Sequence, residues 1–175
     1  MRLRNESEVP VVSVVGRSGV GKTTALERII RELKRRGYRV GTVKHDTHGF
    51  EVDKPGKDSW RHAQAGSDVV VISGPRKLAL IRQQSQEMPL DDVVKLMLDV
   101  DIVITEGYKQ GDRPKIEVTR AERGRELLCR ADELIALMTD YPVDMAVPQF
   151  ALDDADGVVD LLEELEIGDD RKVEE

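Results

Sequence analysis

Short apolar runs alternate with helical patterns along most of this chain. Val9 to Val15 is apolar at nearly every position, the look of a parallel strand buried on both faces. After a glycine-rich turn, Leu26, Ile29, Ile30 and Leu33 recur at i, i+3, i+4 and i+7. That spacing predicts a helix from Lys22 to about Arg36, with Gly37 as its C-terminal cap. Its outer face sets Glu27 against Arg31 and Glu32 against Arg36 at i, i+4. Arg39 to Lys44 reads as a second strand. Residues 45–57 show no apolar periodicity and, with Gly49, Pro55 and Gly56, read as a long loop. Asp58 then caps a short helix through Ala65, closed by Gly66.

Asp68 to Ser73 and Lys77 to Ile81, joined by Gly74-Pro75-Arg76, have the spacing of a hairpin. Pro89 and Leu90 open a helix to about Leu98, and Ile102-Val103-Ile104 is another doubly buried strand. Lys115 to Thr119 alternates apolar with polar residues, which predicts a place near a sheet edge. A short helix from Ala121 to Cys129, a strand from Leu134 to Met138 and a short strand at Met145-Ala146-Val147 follow. Val158, Leu161, Leu162 and Leu165 mark a closing amphipathic helix. The succession predicts an α/β fold: a mostly parallel sheet, helices on both faces, and an antiparallel edge extension. One domain is expected over residues 9–167, with flexible tails at 1–8 and 168–175.

Charge and composition narrow the field. Charged residues make up 35% of the 175 positions, aromatics only 3%, and the formal net charge is -7. A sequence-independent nucleic-acid binder needs a basic face and stacking aromatics, so that class is disfavoured. The single cysteine, Cys129, excludes an internal disulfide and a cysteine-cluster metal site. Met1 to Glu8 lacks the apolar core of a signal peptide, and no apolar run approaches the ~20 residues of a membrane span. The expectation is a soluble, cytoplasmic protein without a membrane partner.

The glycine-rich turn carries the chemistry. Gly16-Arg17-Ser18-Gly19-Val20-Gly21-Lys22-Thr23-Thr24 matches G-x-x-x-x-G-K-[ST], set between a strand and a helix. Gly16, Gly19 and Gly21 let successive N–H groups curl round one anion, and the helix N-terminus adds partial positive charge. Lys22 supplies a point charge for the outer phosphates, and the Thr23 hydroxyl is placed for Mg²⁺. The fold expected is therefore that of a P-loop NTPase.

Downstream, Ile102-Val103-Ile104 delivers Glu106 to a strand's C-terminal edge, where a Walker-B-like acid organises Mg²⁺ and water, and Gly107 allows close approach to a γ-phosphate. Thr139-Asp140 ends a further strand. An aspartate there can accept from N1–H and the 2-amino group of guanine, though a plain turn before Pro142 fits the same residues. The 44–61 loop concentrates Lys44, Lys54, Lys57 and Arg61 beside Asp46, Asp53 and Asp58. It reads as a switch loop in which Asp46 or Asp53 reaches Mg²⁺ while Lys54 and Lys57 meet an anion. A metal site at His45 and His48, or a solvated polar loop, fits the same stretch.

These residues resemble the molybdopterin-guanine dinucleotide biosynthesis protein B family. The P-loop, Lys44-His45 with His48-Gly49-Phe50, Asp53-Lys54-Pro55-Gly56-Lys57-Asp58-Ser59, Glu106-Gly107-Tyr108-Lys109 and Phe150-Ala151-Leu152-Asp153-Asp154 are similar to it, over about Val9 to Leu165. The resemblance implies a GTP-binding accessory protein with weak GTPase activity, a homodimer. It would assist the guanylyltransferase that attaches GMP to molybdopterin, alongside other cofactor-assembly proteins. Gly16 through Thr24 and Glu106 carry over as the nucleotide and Mg²⁺ site, with Lys22 and Glu106 as the catalytic pair. Asp53, Lys54 and Lys57 carry over as ligand candidates, with molybdopterin a further ligand. Two other classes remain in view: a small-molecule kinase holding its acceptor at the 44–61 loop, and a metallochaperone GTPase, which three histidines and one cysteine disfavour.

Overall fold

The computed structural model describes residues 9–167, so the tails expected at 1–8 and 168–175 lie outside the described residues. The described residues divide into two compact units, 9–45 with 96–167, and 46–95. The span expected to form one domain comprises these two units.

The larger unit is built on six parallel strands in the order β2-β5-β1-β6-β7-β8: β1 Val11–Val15, β2 Val40–Lys44, β5 Ile102–Glu106, β6 Lys115–Thr119, β7 Leu134–Thr139 and β8 Gln149–Phe150. β1 is buried along its whole length, as its unbroken apolar run dictates. Val12 and Val14 face the helices, and Val15 joins the core on the other side of the sheet. Between β1 and β5 the buried Thr105 hydroxyl donates to Ser13 Oγ at 2.9 Å, so the polar pair set side by side by the register satisfies itself.

Helix α1, Lys22–Arg35, buries Ala25, Leu26, Ile29 and Leu33 on the sheet. Each fully buried Ile or Leu contributes about 1.5–3 kcal/mol of transfer free energy. Gly37, at φ 90°, turns the chain out, with its N–H on Lys34 O and that of Tyr38 on Leu33 O. Helix α4, Ala155–Leu162, starts at Asp154, whose carboxylate accepts from Gly157 N at 2.9 Å, and its Val158, Val159 and Leu162 enter the same core. Charges join the two helices: Arg36 meets Glu32 at 2.6 Å, Asp160 at 2.6 Å and Glu163 at 2.7 Å.

The smaller unit holds α2 (Asp58–Gln64), the antiparallel pair β3 (Val69–Gly74) and β4 (Lys77–Arg82), and α3 (Leu90–Val94). The expected hairpin is present and forms a sheet of its own. Val70 is buried, while Val69, Val71, Leu78 and Leu80 are exposed.

Several expectations are corrected. β6 is not near an edge; it lies between β1 and β7 with every residue buried. Its polar residues are satisfied inside: Lys115 Nζ reaches Glu133 at 2.9 Å, and Glu117 accepts from Leu128 N and Cys129 N at 2.8 and 3.0 Å. The helix expected from Ala121 to Cys129 shrinks to one 3-10 turn, Ala121–Arg123, ended by Gly124 at φ 99°. Met145 and Val147 form no strand; they pack with Leu127 against the sheet's second core of Val15, Cys129, Leu134 and Leu137. α3 stops at Val94 rather than about Leu98. Asp58 is the first residue of α2, whose cap residue is Lys57, and it makes no side-chain cap.

Candidate functional site

The order of the sheet places the C-terminal ends of β1, β5 and β6 side by side, and the residues that follow them form the site. The turn after β1 needs glycine on two counts. Gly16, Gly19 and Gly21 take φ of 147°, 77° and 97°, and a Cβ on Gly16 would stand 2.3 Å from Val118 O of β6. Gly21 then opens α1, its carbonyl accepting from Ala25 N at 2.9 Å. The free N–H groups of the first turn remain as anion donors. Ser18 and Thr24 are exposed, and Val20 is buried beneath the turn.

Lys22 Nζ donates to Arg17 O at 2.8 Å across the loop. Burial pushes its pKa below the ordinary lysine value; Glu106 opposes the shift, and Lys109 and Lys44 add to it. Thr23 Oγ1 lies 3.1 and 3.2 Å from the two carboxylate oxygens of Glu106, at the end of β5. The structure thus brings Lys22, Thr23 and Glu106 together: a hydroxyl and a carboxylate suited to one hard divalent cation, beside an ammonium and a curl of N–H groups suited to phosphate. Gly107, at φ 106°, donates to Val14 O at 3.1 Å, and a Cβ there would stand 3.1 Å from His45 Cβ. His45 stacks on Tyr108, centroids 4.3 Å apart, with Tyr108 itself at φ 53°.

The end of β7 is less open. Asp140 is exposed, and its Oδ1 accepts from Ala121 N at 2.9 Å. The Thr139 hydroxyl turns to its own chain, donating to Tyr141 O at 2.9 Å. In the smaller unit, Asp53 Oδ1 accepts from Lys54 N at 2.8 Å, while Oδ2 is buried with no hydrogen-bond partner. Lys57 N bonds Lys54 O at 3.2 Å across a turn at Gly56, so the two exposed lysines flank one bend. Among the described residues no group of three or more His, Cys, Asp or Glu is placed to hold a metal ion. The Cys129 thiol is pushed up to about 12, chiefly by burial, which disfavours the thiolate.

Sequence reasoning missed a third side of the site. Arg120 Nε donates to Val20 O at 2.8 Å, and Arg17 Nη2 meets Glu126 at 2.7 Å. The guanidinium of Arg123 lies 3.4 Å from where a Gly19 Cβ would sit, and that of Arg120 3.6 Å from the Gly21 position. The signal was the basic run Arg120-Ala121-Glu122-Arg123-Gly124-Arg125, which gains meaning only once β6 is known to neighbour β1.

A family model described as "Molybdopterin guanine dinucleotide synthesis protein B" matches residues 11–140. A molybdopterin-guanine dinucleotide biosynthesis adapter protein of Haemophilus influenzae is 37% identical over 142 residues, covering 79% of this chain and 79% of that protein. The adapter protein of that name from Escherichia coli is 31% identical over 172 residues, covering 93% and 96%. A crystal structure of "molybdopterin-guanine biosynthesis protein B" superposes with a TM-score of 0.70 at 32% identity, over 90% of this chain and 99% of that one.

Proposed function

Because the chain belongs to the molybdopterin guanine dinucleotide synthesis protein B family, we propose that it is an adapter for the attachment of GMP to molybdopterin that binds GTP with Mg²⁺ at the P-loop. The observation that carries this is the meeting of the Thr23 hydroxyl with the Glu106 carboxylate, 3.1 Å apart, beside the Lys22 ammonium. Gly16 through Thr24 hold the phosphates, Thr23 and Glu106 hold Mg²⁺, and Gly107 lets the backbone approach the terminal phosphate. Held there, Mg²⁺ would supply charge neutralisation for the transferring phosphoryl group. Hydrolysis is slow, because the residue directly after Glu106-Gly107 is Tyr108 rather than a glutamine that would orient the attacking water. Asp140 reads guanine through the carboxylate oxygen that Ala121 does not use, with Thr139 fixing the strand end.

Within its own unit, Asp53 offers a buried, unpartnered oxygen for a cation, and Lys54 and Lys57 offer two ammonium groups for a phosphate such as that of molybdopterin. The exposed apolar face of the β3–β4 pair supports a homodimer or a cofactor-assembly enzyme as its cover, since an isolated hairpin is marginal in water. No helix among the described residues is long and apolar enough to cross a membrane.

Calorimetry with GTP and ATP in Mg²⁺ tests the reading. Lys22→Ala should lose GTP binding by about a hundredfold or more while keeping the wild-type melting temperature; unchanged affinity would refute the site. Asp140→Asn retains the acceptor for Ala121 N but carries a donor toward guanine. It should narrow the preference for GTP over ATP by a factor corresponding to roughly 1–3 kcal/mol; an unaltered preference would place base reading elsewhere.

A further inference from the structure

The segment after β6 is fastened to the P-loop at several points, and its arginines are the ones to explain. Arg120 spends Nε on Val20 O at 2.8 Å, which leaves its two terminal nitrogens uncommitted. Arg123 lies against Gly19 and, among the described residues, meets only Glu122, at 3.9 Å, with both side chains largely exposed. Other arginines of this acidic chain sit tightly on carboxylates, Arg35 on Glu32 at 2.5 Å, Arg36 on Glu32, Asp160 and Glu163, and Arg130 on Asp132, while Arg28 spends itself on Leu152 O. Two guanidinium groups without a close carboxylate among the described residues, beside a helix N-terminus and Lys22, accumulate like charge that an anion would relieve.

The segment is also held in place. Asp140 takes Ala121 N at one end, and the buried Glu117 takes Leu128 N and Cys129 N at the other. Glu126 holds Arg17 of the P-loop itself, whose Nε is buried with no hydrogen-bond partner. The absence of side chains at Gly19 and Gly21 therefore has a second use. It leaves room for these guanidinium groups to lie against the turn whose N–H groups face the anion. A guanidinium stays charged at all working pH values, and its fork of donors matches phosphate oxygens.

We propose that Arg120 and Arg123 are direct ligands of the phosphate chain bound in the P-loop, so that the segment after β6 forms a second, cationic wall of the nucleotide site. This rests on the nucleotide-binding reading above. It assigns the polyphosphate, rather than the base, to that wall. Arg125 serves as the internal comparison, since its guanidinium is occupied 5.0 Å over the Tyr141 ring.

The test is calorimetric titration of GTP, GDP and GMP, with Mg²⁺ and at fixed ionic strength, into the full chain and its variants. Arg123→Ala should weaken GTP by about tenfold or more, GDP less and GMP least, and Arg123→Lys should recover part of the loss. Arg125→Ala removes the same charge from the same segment and should leave GTP affinity within about twofold. Arg120→Ala is read only beside its melting temperature, because it also frees Val20 O. Should Lys22→Ala lose GTP while Arg123→Ala binds it like wild type, or like Arg125→Ala, the cationic wall is overturned and the P-loop reading stands. Equal GTP binding by wild type and Lys22→Ala would overturn both.

Discussion

Replacing Gly16 by alanine puts a methyl group 2.3 Å from the carbonyl oxygen of Val118, about an ångström inside the ordinary C···O contact, at a backbone φ of 147°. Two costs arise. Holding an alanine in that region costs about 1–3 kcal/mol, and relieving the overlap, which needs β6 to move away from β1, costs about 1–3 kcal/mol more. Gly124→Ala separates them, because Gly124 has φ 99° but no atom within 4 Å of its would-be Cβ. The difference between the two variants reports the overlap alone, roughly 2–12 °C in melting temperature for a protein of this size. Thermal unfolding followed by circular dichroism measures it, with GTP affinity measured in parallel. Gly16→Ala should melt lower and bind GTP more weakly. Equal melting temperatures for the two variants would show that β6 does not confine the P-loop, and the reasoning from this close approach would fall.

Two further outcomes follow from buried or paired carboxylates. Glu117→Ala leaves the N–H groups of Leu128 and Cys129 without their acceptor. It should cost roughly 1–3 kcal/mol in urea unfolding, chiefly for the buried Cys129 N–H, and weaken GTP binding by loosening the segment that follows β6; a variant as stable as wild type would refute this. Glu32 is held down to about 2, from a usual value of 4.5, first by its hydrogen bonds to Arg35 and Arg36. A carboxyl whose folded pKa is depressed contributes stability that is complete above its unfolded value and lost as pH falls through the folded one. The melting-temperature gap between wild type and Glu32→Gln should therefore hold steady from pH 7 to about 5 and close between about 4.5 and 2; a gap that persists at the acid end would contradict the pairing.

The parts of the fold that sequence displayed are those where periodicity and burial agree. β1, α1, β5 and the β3–β4 pair follow directly from unbroken apolar runs, a 3.6-residue spacing and a turn at Gly74-Pro75-Arg76. The alternation in β6 suggests an edge strand, because alternating polar residues ordinarily face solvent. Lys115, Glu117 and Thr119 instead find their partners inside the protein. That expectation hides Arg120 and Arg123, since a basic run after an edge strand has no reason to touch the P-loop. Met145 and Val147 alternate because they plug the second core from a loop, a pattern indistinguishable from a short strand. At the site, Lys22, Thr23 and Glu106 were legible because motif spacing and strand ends alone bring them together. The Thr139 hydroxyl and the Asp140 carboxylate were legible as positions, but their bonds to Tyr141 and Ala121 depend on tertiary packing that no local pattern encodes.

The two-sided character of β6 bears on how the sheet finds its alignment. Ile116 and Val118 enter the core shared with α1 and α4, while Lys115, Glu117 and Thr119 alternate with them. Pairing shifts by a residue at Lys115/Ile116 on the β7 side, so even the correct alignment is irregular. Sliding β6 by one position would exchange the two sets, driving a lysine and a glutamate under the helices and turning two large aliphatic residues toward Glu133 and the backbone of Leu128. A strand of five valines would be tolerated at several offsets; this one penalises every slip by an odd number of residues. Parallel sheets join segments far apart in sequence and assemble slowly. In such a search β6 acts as a key cut on one edge, indexing β1 on one side and β7 on the other, and with them the loops that close around the phosphate turn.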